Sequence, residues 1–418
     1  MKYKIEDCIQ YIVDNRGKNP ERYVDFSKHP IIDNFMIKST IYPDLTTVKR
    51  YIDEETYKNF IRNKSKKNDV LVTLVGNGIG NVTLLPDDNA EIIQNTIGLR
   101  ANPIITTNEF LYYCLRNKFE NIIKLNRGTS QPSVKKGDFL NLELDIPPLK
   151  IQSTILNILL NIDYKIHLNG LILKNLEEIS QTLFKHWFID FEFPNKEGLP
   201  YKSSGGKMVE SELGEIPTEW RVYSLEEFTE SISKSINKKE ISNARFLNTS
   251  DILEGKVEEV ELSPTNKMPG QAKKLIQRGD ILYSEIRPKN KRYAFIDFDA
   301  SEYVVSTKLM VLRVNEEIYS NKLLYQWLTM DETIYKLQQI AEDRSGTFPQ
   351  ITFSVLSKFK FAIPEKNKLN ELLHVIEPML DKKQDLIREN EKLIELRDSL
   401  LPKLLTGEIE IPDESVVD

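Results

Sequence analysis

The sequence predicts an α+β protein in which two similar mixed α/β domains are separated by two long antiparallel helices that pair as a coiled coil. Three observations lead to this fold class: the second half of the chain echoes the first, each half carries short β-branched runs between polar turns, and each half ends in a long helical pattern. At 418 residues the chain also exceeds what one hydrophobic core usually organises. We therefore expect an internal duplication with an approximate two-fold axis.

The duplication is visible in three segments that recur in the same order at offsets between 211 and 220 residues. In each half, the third of these segments leads to an Ile-Pro step, after which a long helical pattern begins. Chance explains one such match, but three at nearly constant offset indicate that a unit of about 200 residues has been duplicated. The matched segments are 3–7 with 223–227, 67–71 with 278–282, and 127–132 with 344–349.

The two helical patterns run approximately from Lys150 to Phe188 and from Lys366 to Lys403. Apolar residues recur at three- and four-residue steps in the first pattern and every seven residues in the second. Such helices reach roughly 55 to 60 Å, too long to be hidden inside either small domain, so we expect them to bury their apolar stripes against each other. The residues expected on these stripes are Leu176, Leu183, Trp187, Leu386, Leu393 and Leu400.

The first helical pattern is interrupted at Asn169 and Gly170. A glycine in the middle of a helix costs about 1 kcal/mol relative to alanine, so we expect a kink or a break there. The periodicity alone leaves one alternative open, because it fits equally a helical hairpin that serves only as interdomain core.

Composition favours a cytoplasmic protein. Nothing near the N-terminus resembles a secretory signal, and no apolar run approaches the roughly 20 residues that span a bilayer. The two cysteines, Cys8 and Cys114, fit neither a disulfide framework nor a zinc site, and we expect both to be ordinary buried residues.

The motifs contain no candidate active site. The four histidines are scattered, and none has a second ligand at metal-site spacing. Residues 76–80 (Gly-Asn-Gly-Ile-Gly) resemble a phosphate-binding loop, but they lack the Lys-Ser/Thr ending, and a strand-like segment follows them. We expect a glycine hairpin there, no metal site, no catalytic residue and a binding function.

A basic segment in the second half is the best candidate for contacting DNA. The net charge of −6 counts against DNA binding, but residues 271–292 hold seven basic residues against two acidic ones. Specific recognition needs cations for the phosphates together with Arg, Lys, Asn or Gln side chains for the base edges. A solvated basic loop is the alternative. The candidate residues are Arg287, Lys289, Asn290, Lys291 and Arg292.

Two polar loops in the first half are expected to correspond to this basic segment. Residues 15–18 contribute the candidates Arg16 and Lys18. Residues 126–131 contribute the other candidates, which are Arg127, Ser130 and Gln131. Each of these loops carries a weaker compositional signal than the basic segment.

The segments that follow the two helical patterns resemble a known protein family. Residues 183–191 (LFKHWFIDF), 200–206 (PYKSSGG) and 212–217 (ELGEIP) resemble the central region of specificity subunits of type I restriction-modification systems. Residues 400–409 (LLPKLLTGEI) resemble the C-terminal region of the same subunits. The resemblance covers essentially the whole chain and is weakest in the two domains, which diverge widely within such families.

The resemblance implies target recognition domains at residues 1–148 and 194–365, a central helical region at 149–193, and a C-terminal helical region with a tail at 366–418. Each domain would read one half of an asymmetric, interrupted site in double-stranded DNA, and the helix pair would set the distance between the halves. The implied protein partners are two modification (methyltransferase) subunits, with restriction (nuclease or translocase) subunits as further partners. Chemistry that needs S-adenosylmethionine or ATP and Mg²⁺ would belong to those partners, and this chain would hold no cofactor.

Two other interpretations remain open at this stage. In the first interpretation, one half of the chain is a degenerate methyltransferase or nuclease. Purified chain that modifies or cuts DNA unaided would favour this interpretation. In the second interpretation, the chain is a protein scaffold that reads no DNA sequence. The negative net charge supports this interpretation.

Overall fold

The computed structural model describes residues 1–17, 19–38, 40–128, 131–237 and 241–409. The chain forms two compact units: unit 1 is Met1–Leu173 together with Asp385–Asp418, and unit 2 is Lys174–Gln384. Among the described helices, none combines the length and the apolar character that a membrane crossing needs.

Unit 1 contains short strands and four short helices before the first long helix. The strands are β1 (Lys2–Lys4), β2 (Ile9–Val13), β3 (His29–Pro30), β4 (Tyr51–Ile52), β5 (Val70–Thr73), β6 (Val82–Leu84), β7 (Thr96–Ala101) and β8 (Glu143–Asp145). The helices are α1 (Glu54–Asn59), α2 (Asn108–Asn117), α3 (Phe119–Lys124), α4 (Lys136–Leu140) and α5 (Leu149–Phe184), the last of which ends in unit 2.

An antiparallel sheet in the order β2-β7-β5-β6 forms the centre of unit 1. Every residue of β5 is buried, which fits its composition of Val, Leu and Thr. Helix α2 packs beside this sheet in the same core, and its N-cap Thr107 accepts a hydrogen bond from the backbone N–H of Phe110. Cys8 and Cys114 are free and buried as predicted, and burial raises the pKa of the Cys8 thiol to about 11.

Unit 2 repeats this plan with additional strands. The strands are β9 (Met208–Ser211), β10 (Gly214–Pro217), β11 (Trp220–Ser224), β12 (Thr229–Ser231), β13 (Asn243–Leu247), β14 (Ile252–Leu253), β15 (Lys256–Val257), β16 (Leu262–Pro264), β17 (Ala272–Leu275), β18 (Ile281–Ser284), β19 (Tyr293–Phe295), β20 (Tyr303–Ser306), β21 (Leu309–Val314) and β22 (Lys360–Pro364). The helices are α6 (Asn321–Thr329), α7 (Asp331–Arg344), α8 (Phe353–Leu356) and α9 (Lys366–Thr406), the last of which ends in unit 1.

The sheet β12-β21-β18-β19 of unit 2 has the same strand order and antiparallel pairing as the sheet β2-β7-β5-β6 of unit 1. The strand pair β11–β22 of unit 2 likewise matches the pair β1–β8 of unit 1. Unit 2 also has a second sheet in the order β16-β13-β20-β17, in which β13 and β20 run parallel. The predicted duplication is therefore confirmed.

One buried ion pair recurs at the same place in both sheets. Asp69 precedes β5 and Asp280 precedes β18, and both side chains are fully buried. Arg100 of β7 and Arg313 of β21 each hold their aspartate through two parallel hydrogen bonds of 2.7 to 2.8 Å. This forked geometry joins the start of one central strand to its neighbour in each unit.

The two long helices have nearly the bounds predicted from the sequence, and of the kink or break predicted at Gly170 the break is absent. Helix α5 is continuous from Leu149 to Phe184, and its hydrogen-bond pattern changes only in the π-helical turn Lys185–Ile189. The buried Asn169 side chain donates hydrogen bonds of 2.9 Å to Glu389 Oε2 and Asn390 Oδ1 of α9. Tertiary contacts beside the glycine outweigh its low helix propensity.

Within each unit the long helices run antiparallel. In unit 1, Asp163 pairs with Arg397 and Asn169 with Asn390, so the partner number on α9 falls as the number on α5 rises. In unit 2, Glu177 pairs with Lys383, and Lys368 Nζ donates to the carbonyl of Pro194, which lies beyond the end of α5. The predicted stripe residues lie in these regions: Trp187 and Leu386 are buried, and Leu176, Leu183, Leu393 and Leu400 are half-buried.

Candidate nucleic-acid interface

A β-hairpin in unit 2 carries the basic segment singled out from the sequence. Strands β18 and β19 pair in the register Ile281↔Phe295 and Tyr283↔Tyr293, and the backbone N–H of Ser284 donates to the carbonyl of Arg292 at 2.9 Å. The strand residues of β18 are buried, whereas Arg287, Lys289 and Asn290 of the connection are exposed. We call residues 287–291 of this connection tip 2.

Tip 2 has a defined backbone conformation. Pro288 opens a single 3-10 turn, Pro288–Asn290, and its side chain is buried. The backbone N–H of Arg287 donates to the carbonyl of Pro349 at 3.1 Å, and the backbone N–H of Lys289 donates to Gln338 Oε1 at 3.1 Å. These two bonds attach the tip to helix α7 and to the loop that follows it.

Three of the five candidate side chains on this hairpin already have partners inside unit 2. Lys289 Nζ lies 3.4 Å from Glu342 Oε1, and Lys291 Nζ lies 3.0 Å from Asp331 Oδ1. Arg292 Nη1 donates to the backbone carbonyls of Ser250 at 2.8 Å and Ile252 at 2.9 Å. The two lysine pairs lie at the surface, so they contribute little to stability.

The other two candidates on this hairpin, Arg287 and Asn290, are exposed. Within the described part of the chain, no carboxylate lies within ion-pairing distance of the Arg287 guanidinium. Hydrogen bonds from Gln338 and Lys289, with a further contribution from the charge of Arg287, hold the pKa of the nearby Glu342 below its usual value.

A neighbouring lysine of the basic segment points away from this surface. Lys274 Nζ donates to the backbone carbonyls of Thr307 at 3.2 Å and Leu309 at 2.8 Å. Burial lowers the pKa of this ammonium group. Basic composition alone therefore overstates the charge that the segment presents to a ligand.

The candidates of unit 1 occupy two different loops. Arg16 forms a forked pair with Asp14 through two hydrogen bonds of 2.9 Å, and this bonding lowers the pKa of Asp14 well below its usual range. Arg127 is largely exposed and lies 2.8 Å from Asp138 Oδ2, and Gln131 is exposed. The remaining two candidates, Lys18 and Ser130, lie outside the described residues.

The structure corrects the predicted correspondence between the two halves. The hairpin β5–β6 of unit 1 pairs in the register Val72↔Val82, as β18–β19 pairs in unit 2, and it ends in residues 76–80, which we call tip 1. The backbone N–H of Gly76 donates to the carbonyl of Pro132 at 2.9 Å, as that of Arg287 does to Pro349. Tip 1, and not the loop at 15–18, is therefore the counterpart of tip 2.

The predicted glycine hairpin is confirmed, but its relation to the basic segment was missed because no aligned position of the two tips carries the same residue. The offset of 211 that matches residues 67–71 with 278–282 also carries Gly76 onto Arg287 and Gly80 onto Lys291. Extending that match by nine residues was the signal available in the sequence. Loop 126–131 does correspond to a loop of unit 2, since Val75 bridges Ser133 as Ile286 bridges Gln350.

Comparisons with known proteins agree on one family. A family model described as the type I restriction modification DNA specificity domain matches residues 2–178 and 217–396. The specificity subunit of the type I restriction enzyme HindI from Haemophilus influenzae is 45% identical over 165 residues, which are 40% of this chain and 36% of that protein. The MjaVIII specificity subunit from Methanocaldococcus jannaschii is 26% identical over 430 residues, covering 98% of this chain and 92% of that protein.

A solved structure has the same fold. The crystal structure of the S subunit of a type I restriction-modification system from M. genitalium matches with a TM-score of 0.62 at 16% identity. The match covers 99% of this chain and 96% of that one. At this level of identity the likeness extends to the fold, and the base-contacting residues have to be argued from this chain's own side chains.

Proposed function

We propose, from the premise that the chain belongs to the type I restriction-modification DNA specificity family, that its two units read the two halves of one asymmetric, interrupted DNA site. The observation that carries this proposal is the duplicated hairpin. Each unit has one such hairpin on the same edge of the same four-stranded sheet, and the two tips differ in every residue that faces solvent. Two copies of one scaffold with different tips suit two half-sites of different sequence.

The proposed contacts combine cations that position the backbone of DNA with side chains that read base edges. Lysine and arginine neutralise phosphates, and Arg, Asn and Gln form paired hydrogen bonds with bases in the major groove. Because the net charge of the chain is −6, these contacts have to be concentrated on a few segments, which are tip 2 with Arg292 in unit 2 and the loops 15–18 and 126–131 in unit 1. The residues are Arg16, Lys18, Arg127, Ser130 and Gln131 in unit 1, and Arg287, Lys289, Asn290, Lys291 and Arg292 in unit 2.

The chain acts without catalysing a reaction itself. Methyl transfer from S-adenosylmethionine belongs to the modification subunits, and ATP with Mg²⁺ is used by restriction subunits where these are present. Since the chain contains the same unit twice, it offers two similar surfaces and binds two modification subunits. The antiparallel contacts within each unit support a rigid helix pair, which sets the length of the unread gap.

Methylome sequencing tests this function. A host that expresses the chain with its modification subunit should gain methylation at one bipartite motif with a gap of fixed length. Purified chain alone should neither methylate nor cut DNA. Activity of the isolated chain would support a degenerate enzyme instead.

A protein scaffold is the second candidate, favoured by the net charge of −6. Footprinting of the assembled complex separates the two candidates. A specificity subunit protects a defined sequence, whereas a scaffold leaves protection scattered over every fragment.

A further inference from the structure

The two hairpin tips have positive φ angles at the same two positions, which different residues occupy. In tip 1 the left-handed positions are occupied by glycines, Gly76 with φ +91° and Gly80 with φ +85°. In tip 2 the corresponding positions are occupied by Arg287 with φ 45° and Lys291 with φ 53°. Glycine adopts this region without penalty, whereas a side chain with a β-carbon is strained there.

The surrounding hydrogen bonds hold Arg287 in this conformation. Its N–H is bound to Pro349 and its carbonyl accepts from the N–H of Asn290 at 2.8 Å. Gly76 makes the same two bonds, to Pro132 and from Ile79. Glycine would therefore serve the fold of unit 2 at least as well as arginine does.

The Arg287 side chain has only a longer-range attraction to Glu342 to offset this cost inside its own unit, and no direct contact. It is exposed, and among the described residues it forms no hydrogen bond, ion pair or ring contact. Lys291, the other strained residue, does pair with Asp331. Strained residues retained without an internal partner are typical of functional sites, where the partner is an external ligand.

We propose that Arg287 is a base-reading residue of unit 2 and that its guanidinium pairs with O6 and N7 of one guanine in the major groove. The planar fork of arginine fits those two acceptors, and the Arg287 side chain is exposed at the tip, where a ligand can reach it. Gly76 provides no such fork, so the half-site read by unit 1 has no counterpart of this contact. The inference rests on the proposed function that each unit reads one half-site.

The alternative role for Arg287 is a phosphate contact, and two variants of the assembled complex separate these roles. Arg287→Gly removes the side chain and suits the backbone, so the melting temperature should stay unchanged or rise. Arg287→Lys keeps the charge but loses the fork. A base reader loses selectivity in both variants, whereas a phosphate contact is restored by lysine.

Methylome sequencing of the wild-type complex and both variants provides the test. We expect each variant to relax one guanine position in one half of the motif by about 5- to 150-fold, with the other half unchanged. Gln94→Gly, which replaces another strained residue (φ 55°) in unit 1, is the matched control and should leave the motif intact.

An unchanged motif in both variants, or a uniform loss at every sequence that lysine restores, would overturn the assignment of Arg287. A wild-type complex without a defined motif would instead contradict the proposed function itself. The two failures are therefore distinguishable in the same experiment.

Discussion

Units 1 and 2 place different side chains at an equivalent junction, where the long helices meet α2 in unit 1 and α6 in unit 2. In unit 1, Arg397 Nη1 and Tyr113 Oη donate to the two oxygens of Asp163 at 2.6 Å and 2.5 Å, and all three side chains are buried. Aligning α5 with α9 and α2 with α6 shows the counterparts in unit 2, where Gln326 Nε2 donates to Ser180 Oγ at 3.1 Å. The counterparts of Asp163, Arg397 and Tyr113 are Leu380, Ser180 and Gln326.

This difference shows which part of the junction the fold requires. One unit fills it with a buried ion pair and the other with a neutral hydrogen bond beside an apolar side chain. Close packing is therefore common to both, and charge is not. The same division applies at the tips, where the positions of the positive φ angles are common and the side chains differ.

The largest effect is expected from breaking the charged junction. Arg397→Leu leaves the carboxylate of Asp163 buried without its cation, which should lower the free energy of unfolding by about 3 to 5 kcal/mol. Ser180→Ala, the matched change in unit 2, should cost about 0.5 to 1.5 kcal/mol because it removes one neutral hydrogen bond. Chemical denaturation of both variants measures the difference.

A double variant that places the residue types of the unit 2 junction into unit 1 tests the comparison more sharply. Asp163→Leu combined with Arg397→Ser should recover most of the stability lost in Arg397→Leu, since no unpaired charge remains. A double variant as unstable as Arg397→Leu would show that the junction of unit 1 depends on charge after all.

A second contrast concerns two glutamates, Glu91 in unit 1 and Glu302 in unit 2, whose backbone carbonyls accept equivalent hydrogen bonds. The backbone carbonyl of Glu91 accepts from the N–H of Ile32, and that of Glu302 accepts from the N–H of Arg245. The Glu91 side chain is fully buried with Ser65 as its hydrogen-bond partner, whereas Glu302 is exposed beside Arg245. Burial raises the pKa of Glu91 to about 7.

The pH dependence of stability follows from that raised pKa. The folded protein favours protonated Glu91, so its penalty is absent below pH 4.5, grows as the pH rises to 7, and is roughly 3 kcal/mol above that pH. Glu91→Gln should therefore stabilise the protein at pH 8 and have little effect at pH 4. Thermal melts across this range check the prediction, and Glu302→Gln should shift stability by less than about 0.5 kcal/mol at either pH.

The smallest effect is expected at the tips. A β-carbon added at Gly80 would lie 3.0 Å from the Phe119 ring and would be strained at φ +85°, so Gly80→Ala should cost about 2 kcal/mol. Lys291→Gly relieves the same strain in unit 2 and loses only an exposed ion pair, so stability should change by less than about 1 kcal/mol. Equal losses in both variants would mean that the tips are not equivalent.

The sequence was informative where a pattern repeats. Helical periodicity predicted the bounds of α5 and α9 within a few residues, and the constant offset predicted the duplicated sheet, because both patterns reflect packing against a core. The helix is not broken at Gly170 because propensity is local and the contacts of Asn169 are not.

Other features were beyond a sequence-based prediction for a physical reason. Asp163 and Arg397 look like members of a solvated helix face until a partner more than 200 residues away covers them. Tips 1 and 2 share positive φ angles at two equivalent positions, which residue types do not reveal. Internal partners of Lys274 and Arg292 likewise appear only once carbonyl groups from distant strands are in place.

The central claim is that each unit reads its own half-site and that its hairpin tip is part of the reading surface. The most direct measurement is methylome sequencing of complexes that carry either Asn77→Ala, which truncates the exposed side chain of tip 1, or Arg287→Ala in tip 2. We predict altered base preference in one half of the motif for the first variant and in the other half for the second. Changes confined to the same half, or an unchanged motif in both variants, would contradict the claim.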